Sequence, residues 1–162
     1  MFIYNDYTNK KQKIEESRLA KNLYKQKQLD EFYIPLEIKL LESQREWFKY
    51  KKRYANSKVF ENMLNGIENE DTYLWRINML NIFKSIHEMM SEIISSKRNL
   101  ALENEELHKQ LDLLVSHIYE YKVIFAMWVD GNNKKNIADI KFPNELINLI
   151  QEDIKILKNK QR

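Results

Sequence analysis

The sequence predicts an all-α fold, a helical bundle of four to five helices built on a long antiparallel helical hairpin. Three observations carry this. Only Gly66, Gly131, Pro35 and Pro143 punctuate 162 residues, and the stretches between them repeat apolar residues with a period near 3.6. The composition, 43% apolar, 12% aromatic and 31% charged, is globular and helix-rich rather than disordered. Between residues 69 and 130, two apolar stripes are separated by a reversal of charge. A compact chain of this length buries roughly 70% of its unfolded surface, enough for one sizeable core.

The N-terminal third is expected to stand apart. Residues 1 to 7 read as a loose end and 9 to 31 as a helix whose apolar positions, Ile14, Leu19, Leu23 and Leu29, form no single stripe. Residues 1–34 are therefore predicted to be a basic, weakly docked arm, and 35–162 a single helical domain. Pro35 biases Ile34 toward extended geometry and suits the first turn of a new helix. That helix, from about Leu36 to Tyr54, presents Leu36, Leu40, Leu41, Trp47, Phe48, Tyr50 and Tyr54 on one broad face, with a restart near Asn56-Ser57. Gly66 is placed to close it as a C-terminal cap.

Asn69, followed by Glu70 and Asp71, has the pattern of a helix start. The stripe from Trp75 through Met79, Ile82, Phe83, Ile86, Met89, Met90 and Ile93 spans about 120° at 100° per residue, a core face. A second series, Leu107, Leu111, Leu114, Ile118, Tyr121, Phe125 and Trp128, steps by 4 and 3 with Asn104 on the same seam, a coiled-coil-like pattern. One continuous coiled-coil helix over residues 72–129 is the alternative, since no glycine or proline intervenes. Lys97 and Arg98 before Glu103, Glu105 and Glu106 favour two helices with a turn, because cations suit a helix end and acids a helix start. Asn99 then serves as the left-handed residue after the first helix and Asn104 as cap of the second. After Gly131 a polar loop leads to Pro143 and a last helix to about Lys158. The run NLALENEELHKQL resembles a piece of leucine zipper; no basic region precedes it and the stripe soon turns aromatic, so nothing is carried over from that likeness.

Several function classes lack their residues. With no cysteine there is no disulfide, thiolate metal site or cysteine nucleophile. Two glycines 65 residues apart cannot form a phosphate-cradling loop. A bundle di-iron site asks for two Glu-x-x-His elements, and only Glu105-x-x-His108 has that spacing. His87 and His117 lie at the edges of their stripes and read as boundary histidines with hydrogen-bond partners. Acidic pairs such as Glu15-Glu16, Asp30-Glu31 and Glu105-Glu106 read as solvated faces. No cofactor, metal or catalytic residue is expected, and no enzymatic activity. The longest strong apolar run, residues 123–129, is far short of the ~20 residues that span a bilayer. The N-terminus lacks the apolar run of a secretory signal. The expectation is a soluble, cytoplasmic protein.

What remains is binding. Residues 1–53 carry 13 basic and 8 acidic side chains against 14 and 16 in the rest, so the basic surplus sits in the N-terminal third. The segment WFKYKKRY, residues 47–54, concentrates it: its rings project inward, while Lys49 and Arg53 lie beside Glu42 and Glu46 at pairing distance. Lys49, Lys51, Lys52 and Arg53 are the candidate contacts for a partner or nucleic acid. Asn104, Leu107, Leu111, Leu114, Ile118, Tyr121, Phe125 and Trp128 are the candidate self-association seam. The expected function is that of a non-enzymatic helical interaction protein, an accessory, scaffold or regulatory module, whose partner is another protein or a second copy in a homo-dimer. The alternative is a nucleic-acid-binding protein using the basic N-terminal third; peripheral membrane contact ranks below both.

Overall fold

A computed structural model describes residues 2–55 and 58–159, and over these residues the chain is helical with no strand. The helices are α1 (Phe2–Gln28), α2 (Ile34–Arg53), α3 (Val59–Leu64), α4 (Glu70–Asn78), α5 (Lys84–Lys97), α6 (Glu105–Val129) and α7 (Leu146–Asn159). Two π turns, Leu29–Tyr33 and Met79–Phe83, join α1 to α2 and α4 to α5 without a break. Five helical rods result. Around the core, α2 packs on α5, α5 on α6, α6 on α7 and α7 back on α2, so these four form a closed ring as in a four-helix bundle.

The helix expected to begin at Pro35 is instead the continuation of α1. A proline inside a helix withholds one N–H and its ring collides with the carbonyl four residues back. The turn ahead of it is widened to relieve this, and the Ile34 N–H bonds to the Leu29 carbonyl, five residues back. The expected loose end at 1 to 7 is helical from Phe2. The core begins before the expected boundary at 34, because Leu29, Phe32 and Tyr33 are at most 2% exposed. Tyr33 ties three elements together. Its hydroxyl accepts the Leu102 N–H at 2.8 Å and donates to Asp153 on α7 at 2.8 Å. Gln28 adds a 2.8 Å bond from Nε2 to the Leu100 carbonyl.

The expected hairpin is formed. A 3-10 turn, Arg98–Leu100, ends α5, and the Asn104 side chain accepts the Leu107 N–H at 3.2 Å to cap α6. The continuous helix over 72–129 is thereby excluded. Asn99 is not left-handed, since no described non-glycine residue has positive φ; the reversal is made by the 3-10 turn and the extended residues after it. Gly66 (φ 67°) and Gly131 (φ 82°) do close their helices, each followed by the wrapped N–H bonds of a helix end, Ile67 to Asn62 and Asn132 to Met127. Asn69 caps α4 through a reciprocal pair with Thr72. The restart expected at Asn56-Ser57 lies outside the described residues; α3 begins at Val59.

The core has two lobes. Around the hairpin turn, Leu29, Phe32, Tyr33, Leu36 and Leu40 meet Ile86, Met90, Ile94, Leu107, Leu111 and the inner face of α7. At the open end, Tyr50, Val59, Met63, Trp75, Met79 and Phe83 meet Tyr121, Phe125 and Trp128. The wide turn at Met79–Phe83 re-phases the α4–α5 stripe, so that His87 and Ile94 face inward while Met89 is 47% exposed. On α2 the buried stripe is narrower than expected: Leu41 and Phe48 are exposed, because α5 and α7 cover only the side that carries Leu36, Leu40, Ser43 and Tyr50.

Asn104→Leu removes a cap worth about 1 kcal/mol and is expected to lower the melting temperature by about 2–5 °C without changing the mass in solution. Calorimetry with light scattering checks both; a new oligomer would contradict the capping role.

Candidate functional site

The residues singled out in the sequence separate into three groups. Lys49, Lys51, Lys52 and Arg53 are exposed on the last turns of α2. Lys49 pairs with Glu46 at 3.2 Å, Glu42 is taken by Lys39 at 2.9 Å, and the Arg53 guanidinium lies 5.8 Å from the Tyr54 ring centre. Of the neighbouring rings expected to turn in, Tyr50 is buried, Tyr54 is half-buried and Trp47 stays 38% exposed; the Tyr50 ring centre lies 4.6 to 6.2 Å from those of Tyr54, Trp75, Phe60 and Trp47. Tyr50 is thus withdrawn from the cations, while Phe48, 67% exposed, stays at the surface three and four residues before Lys51 and Lys52.

The candidate self-association seam is consumed by the chain's own core. Leu107, Leu111, Leu114, Ile118, Tyr121, Phe125 and Trp128 are all at most 8% exposed, and Asn104 is spent on its cap. In Glu105-x-x-His108 the histidine is engaged by its own turn. His108 accepts the Arg98 Nε–H through Nδ1 at 3.1 Å and faces the Leu102 carbonyl through Nε2 at 3.2 Å, so both ring nitrogens bind the turn. No cluster of three metal-ligating side chains exists among the described residues.

The feature that the sequence did not reveal lies between the two lobes of the core. There a cavity of about 310 Å³ is walled by α2, α4, α5, α6 and the loop after Gly131. Trp47, Trp75, Phe83, Tyr121 and Phe142 supply its rings. Its exposed lining residues, Gln44, Trp47, Lys141 and Asn144, form the mouth. Three buried polar side chains face inward: Ser43, His87 and His117, 6%, 4% and 9% exposed.

The loop that closes the cavity is held by side chains from the helices as well as by its own Lys135–Asp139 pair at 2.7 Å. The Trp75 and Trp128 indole N–H groups donate to the carbonyls of Asn136 and Lys135 at 2.9 and 2.8 Å. Glu120 accepts the N–H groups of Asp139 and Ile140 at 2.9 and 2.8 Å. Arg76, itself 6% exposed, bonds Asn136 and Glu68. Burial lifts the Tyr121 phenol to about 12, against the effect of its hydrogen bond with the Ala138 backbone.

His87 and His117 sit opposite each other on the hairpin, ring centres 5.6 Å apart and nearly perpendicular. His117 behaves as a partnered histidine: Nδ1 donates to the Ile140 carbonyl at 2.5 Å. His87 does not. It touches the rings of Phe83, Tyr121 and Phe125, and its Nδ1 is enclosed without a hydrogen-bond partner among the described residues. Burial pushes its pKa down to about 3, helped by the nearby His117. Burial lowers His117 as well, against the pull of the Ile140 carbonyl and Glu120. Both are neutral imidazoles at pH 7.

The surface that the fold leaves uncovered is α1. Residues 3 to 27 are exposed apart from Asn22 and Lys25, which are half-buried. At 1.5 Å per residue the helix extends about 40 Å. Projected at 100° per residue, Lys10, Lys11, Arg18, Lys21 and Lys25 share a sector of about 100° with Ile3, Tyr7 and Ile14, and no carboxylate falls in it. Asp6 and Glu15 flank the sector and pair with Lys10 and Arg18 at 3.3 and 2.9 Å. Because α1, the π turn and α2 form one rod of about 78 Å contour, this basic stripe and the Lys49 to Arg53 cluster lie toward opposite ends. The basic N-terminal third is therefore not one patch.

The buried histidines make the fold acid-sensitive. An unfolded His87 takes up a proton near the ordinary imidazole value of 6.5, whereas the folded one resists until about 3. Stability present above pH 6.5 is lost as pH falls through that window, by about 1.4 kcal/mol per pH unit below roughly pH 6. Denaturant unfolding at pH 7, 6 and 5 is expected to show this slope in the wild type and a shallower one in His87→Phe; carboxylate effects cancel in the difference, and equal slopes would contradict it. No protein-family model, curated protein or solved structure matches the chain.

Proposed function

We propose that this protein is a non-enzymatic helical interaction module that offers α1 to an acidic surface of another protein. The observation that carries this reading is a 27-residue helix whose residues 3 to 21 are all exposed. Isolated helices are marginal in water because nucleation is costly. Here the nucleus is already met by the docked turn at Leu29–Tyr33, so α1 grows as an extension of a folded end. Its residues are mostly good helix formers. A partner then meets a helix already ordered, and little conformational entropy is left to lose on contact.

The chemistry of the stripe favours a protein partner. Ile3, Tyr7 and Ile14 ask for an apolar floor, and the exposed cations Lys10, Lys11, Arg18 and Lys21 ask for carboxylates along the continuing groove. A second copy of α1 is disfavoured by like charge, with seven cations against three carboxylates on each helix. The second reading is nucleic acid, favoured by the same acid-free sector. Against it, a phosphate backbone offers no apolar floor, and the Lys49 to Arg53 cluster does not converge with the stripe.

Charge reversal at Lys11, Arg18 and Lys21 (each to Glu) discriminates. The tagged protein, recovered from its own host, is expected to bring down one protein enriched at least tenfold over the reversed variant, insensitive to nuclease and reproducible with purified components. Identical recovery by both forms would overturn the reading. Nuclease-sensitive recovery, with affinity falling steeply with salt, would replace it by the nucleic-acid reading. Turnover of a substrate by the pure protein, abolished by one polar substitution, would remove the non-enzymatic part.

A further inference from the structure

We infer that the cavity between the two lobes of the core is a binding site for a small uncharged molecule of one or two rings that carries a single hydrogen-bonding group. This goes beyond the interaction reading and rests on different residues. Protein interiors are close-packed, and voids larger than a water are few. A space of about 310 Å³ corresponds to roughly ten waters at ~30 Å³ each, yet its walls are largely aromatic and would satisfy few of them. That volume is at the lower end of ligand pockets, a size suited to a bicyclic ring system.

The wall chemistry narrows the class. Trp47, Trp75, Phe83, Tyr121 and Phe142 present faces and edges that suit a flat ring. The charged residue among the lining is Lys141, which is exposed at the mouth. No ion pair awaits an ionic ligand inside, and an uncompensated buried charge is costly.

The polar groups of the wall point to one directed contact. His87 Nδ1 has no hydrogen-bond partner among the described residues, and His87 is more than nine-tenths buried, as is Ser43. Such groups are normally satisfied. His87 lies on α5 and Ser43 on α2, both lining the same space, so the wall offers a ligand hydroxyl or N–H an imidazole to meet, with a small polar side chain also on the lining. His117 holds the closing loop through Ile140 and so shapes the far wall. The imidazole of His87 lines the cavity and supplies the directed contact. A neutral imidazole can donate or accept there according to its tautomer.

The test uses 2-naphthol as probe and the full-length protein. In nitrogen-15 correlation spectra the probe is expected to shift amides around Ser43, His87, His117 and Phe142, saturating with a dissociation constant on the order of 0.1 mM, as suits a ligand of this size. His87→Phe, which keeps a ring and removes the nitrogens, is expected to weaken binding at least tenfold. Ser43→Leu, which fills the space, is expected to abolish it. If His87→Phe does not fold, Ser43→Leu and the wild-type shift map still decide. The inference is overturned by absence of saturable shifts at millimolar probe, by shifts confined to α1 or other exposed surface, or by unchanged affinity in the folded variants. None of these outcomes bears on the α1 charge-reversal result, so the two readings fail independently.

Discussion

The structure depends on how one proline is accommodated in the middle of a helix. Pro35 cannot donate to the carbonyl four residues back and its ring presses on that carbonyl. The chain answers with the π turn Leu29–Tyr33 instead of a break, and that widened turn is itself core. Leu29, Phe32 and Tyr33 sit against the closed end of the hairpin, while the Tyr33 hydroxyl joins Leu102 in the hairpin loop to Asp153 on α7. The phenol is pushed above its ordinary range, chiefly by burial, so it remains a hydroxyl able to donate and accept at once. Asp153 is pushed up by the same burial, against the donated hydrogen bond. One side chain thereby fixes the relative positions of the N-terminal rod, the hairpin loop and the last helix.

Two consequences follow from that junction. Because the rod continues out of the core on its N-terminal side, residues 3 to 21 of α1 are all exposed, and Lys10, Lys11, Lys13, Arg18 and Lys21 remain toward solvent. On the other side α2 runs along α5 and α7 with a single buried stripe. Where that stripe passes from the leucine-rich lobe to the aromatic lobe, small Ser43 replaces a large apolar residue. The facing helices supply His87 and His117 at the same level. Two lobes of different side-chain size meeting there leave the cavity, and the loop after Gly131, pinned by Trp75, Glu120, His117 and Trp128, closes over it.

Much of the architecture was legible in the sequence because local chemistry and global fold agree there. Asn69, Gly66, Gly131 and Asn104 mark helix ends by mechanisms that act within one turn, and the charge reversal from Lys97 to Glu105 marks the hairpin. The apolar seam of α6 was visible as a face, but periodicity cannot say whether the chain itself or a second copy covers it. The π turns were not legible: Pro35 read as a helix start because a break and a bulge relieve the same clash, and only packing selects between them. His87 was read at the edge of its stripe because an ideal 3.6 period ignores the re-phasing at Met79–Phe83. The cavity has no sequence signal at all, since its lining comes from elements separated by up to about 100 residues, and no motif joins Ser43 to His87. The basic N-terminal third looked like one patch as a string and becomes two clusters far apart on a rod.

Native-state hydrogen exchange, read amide by amide, tests the central claim most directly, that the rod is one helix anchored at Leu29–Tyr33 and uncovered before it. The amides of residues 29–53 are expected to share the protection of α5 and α6. Those of residues 5–25 are expected to exchange by local fraying, on the order of a hundredfold faster or more. Core-like protection throughout α1, or loss of protection across 29–35 with a break at the proline, would contradict the account.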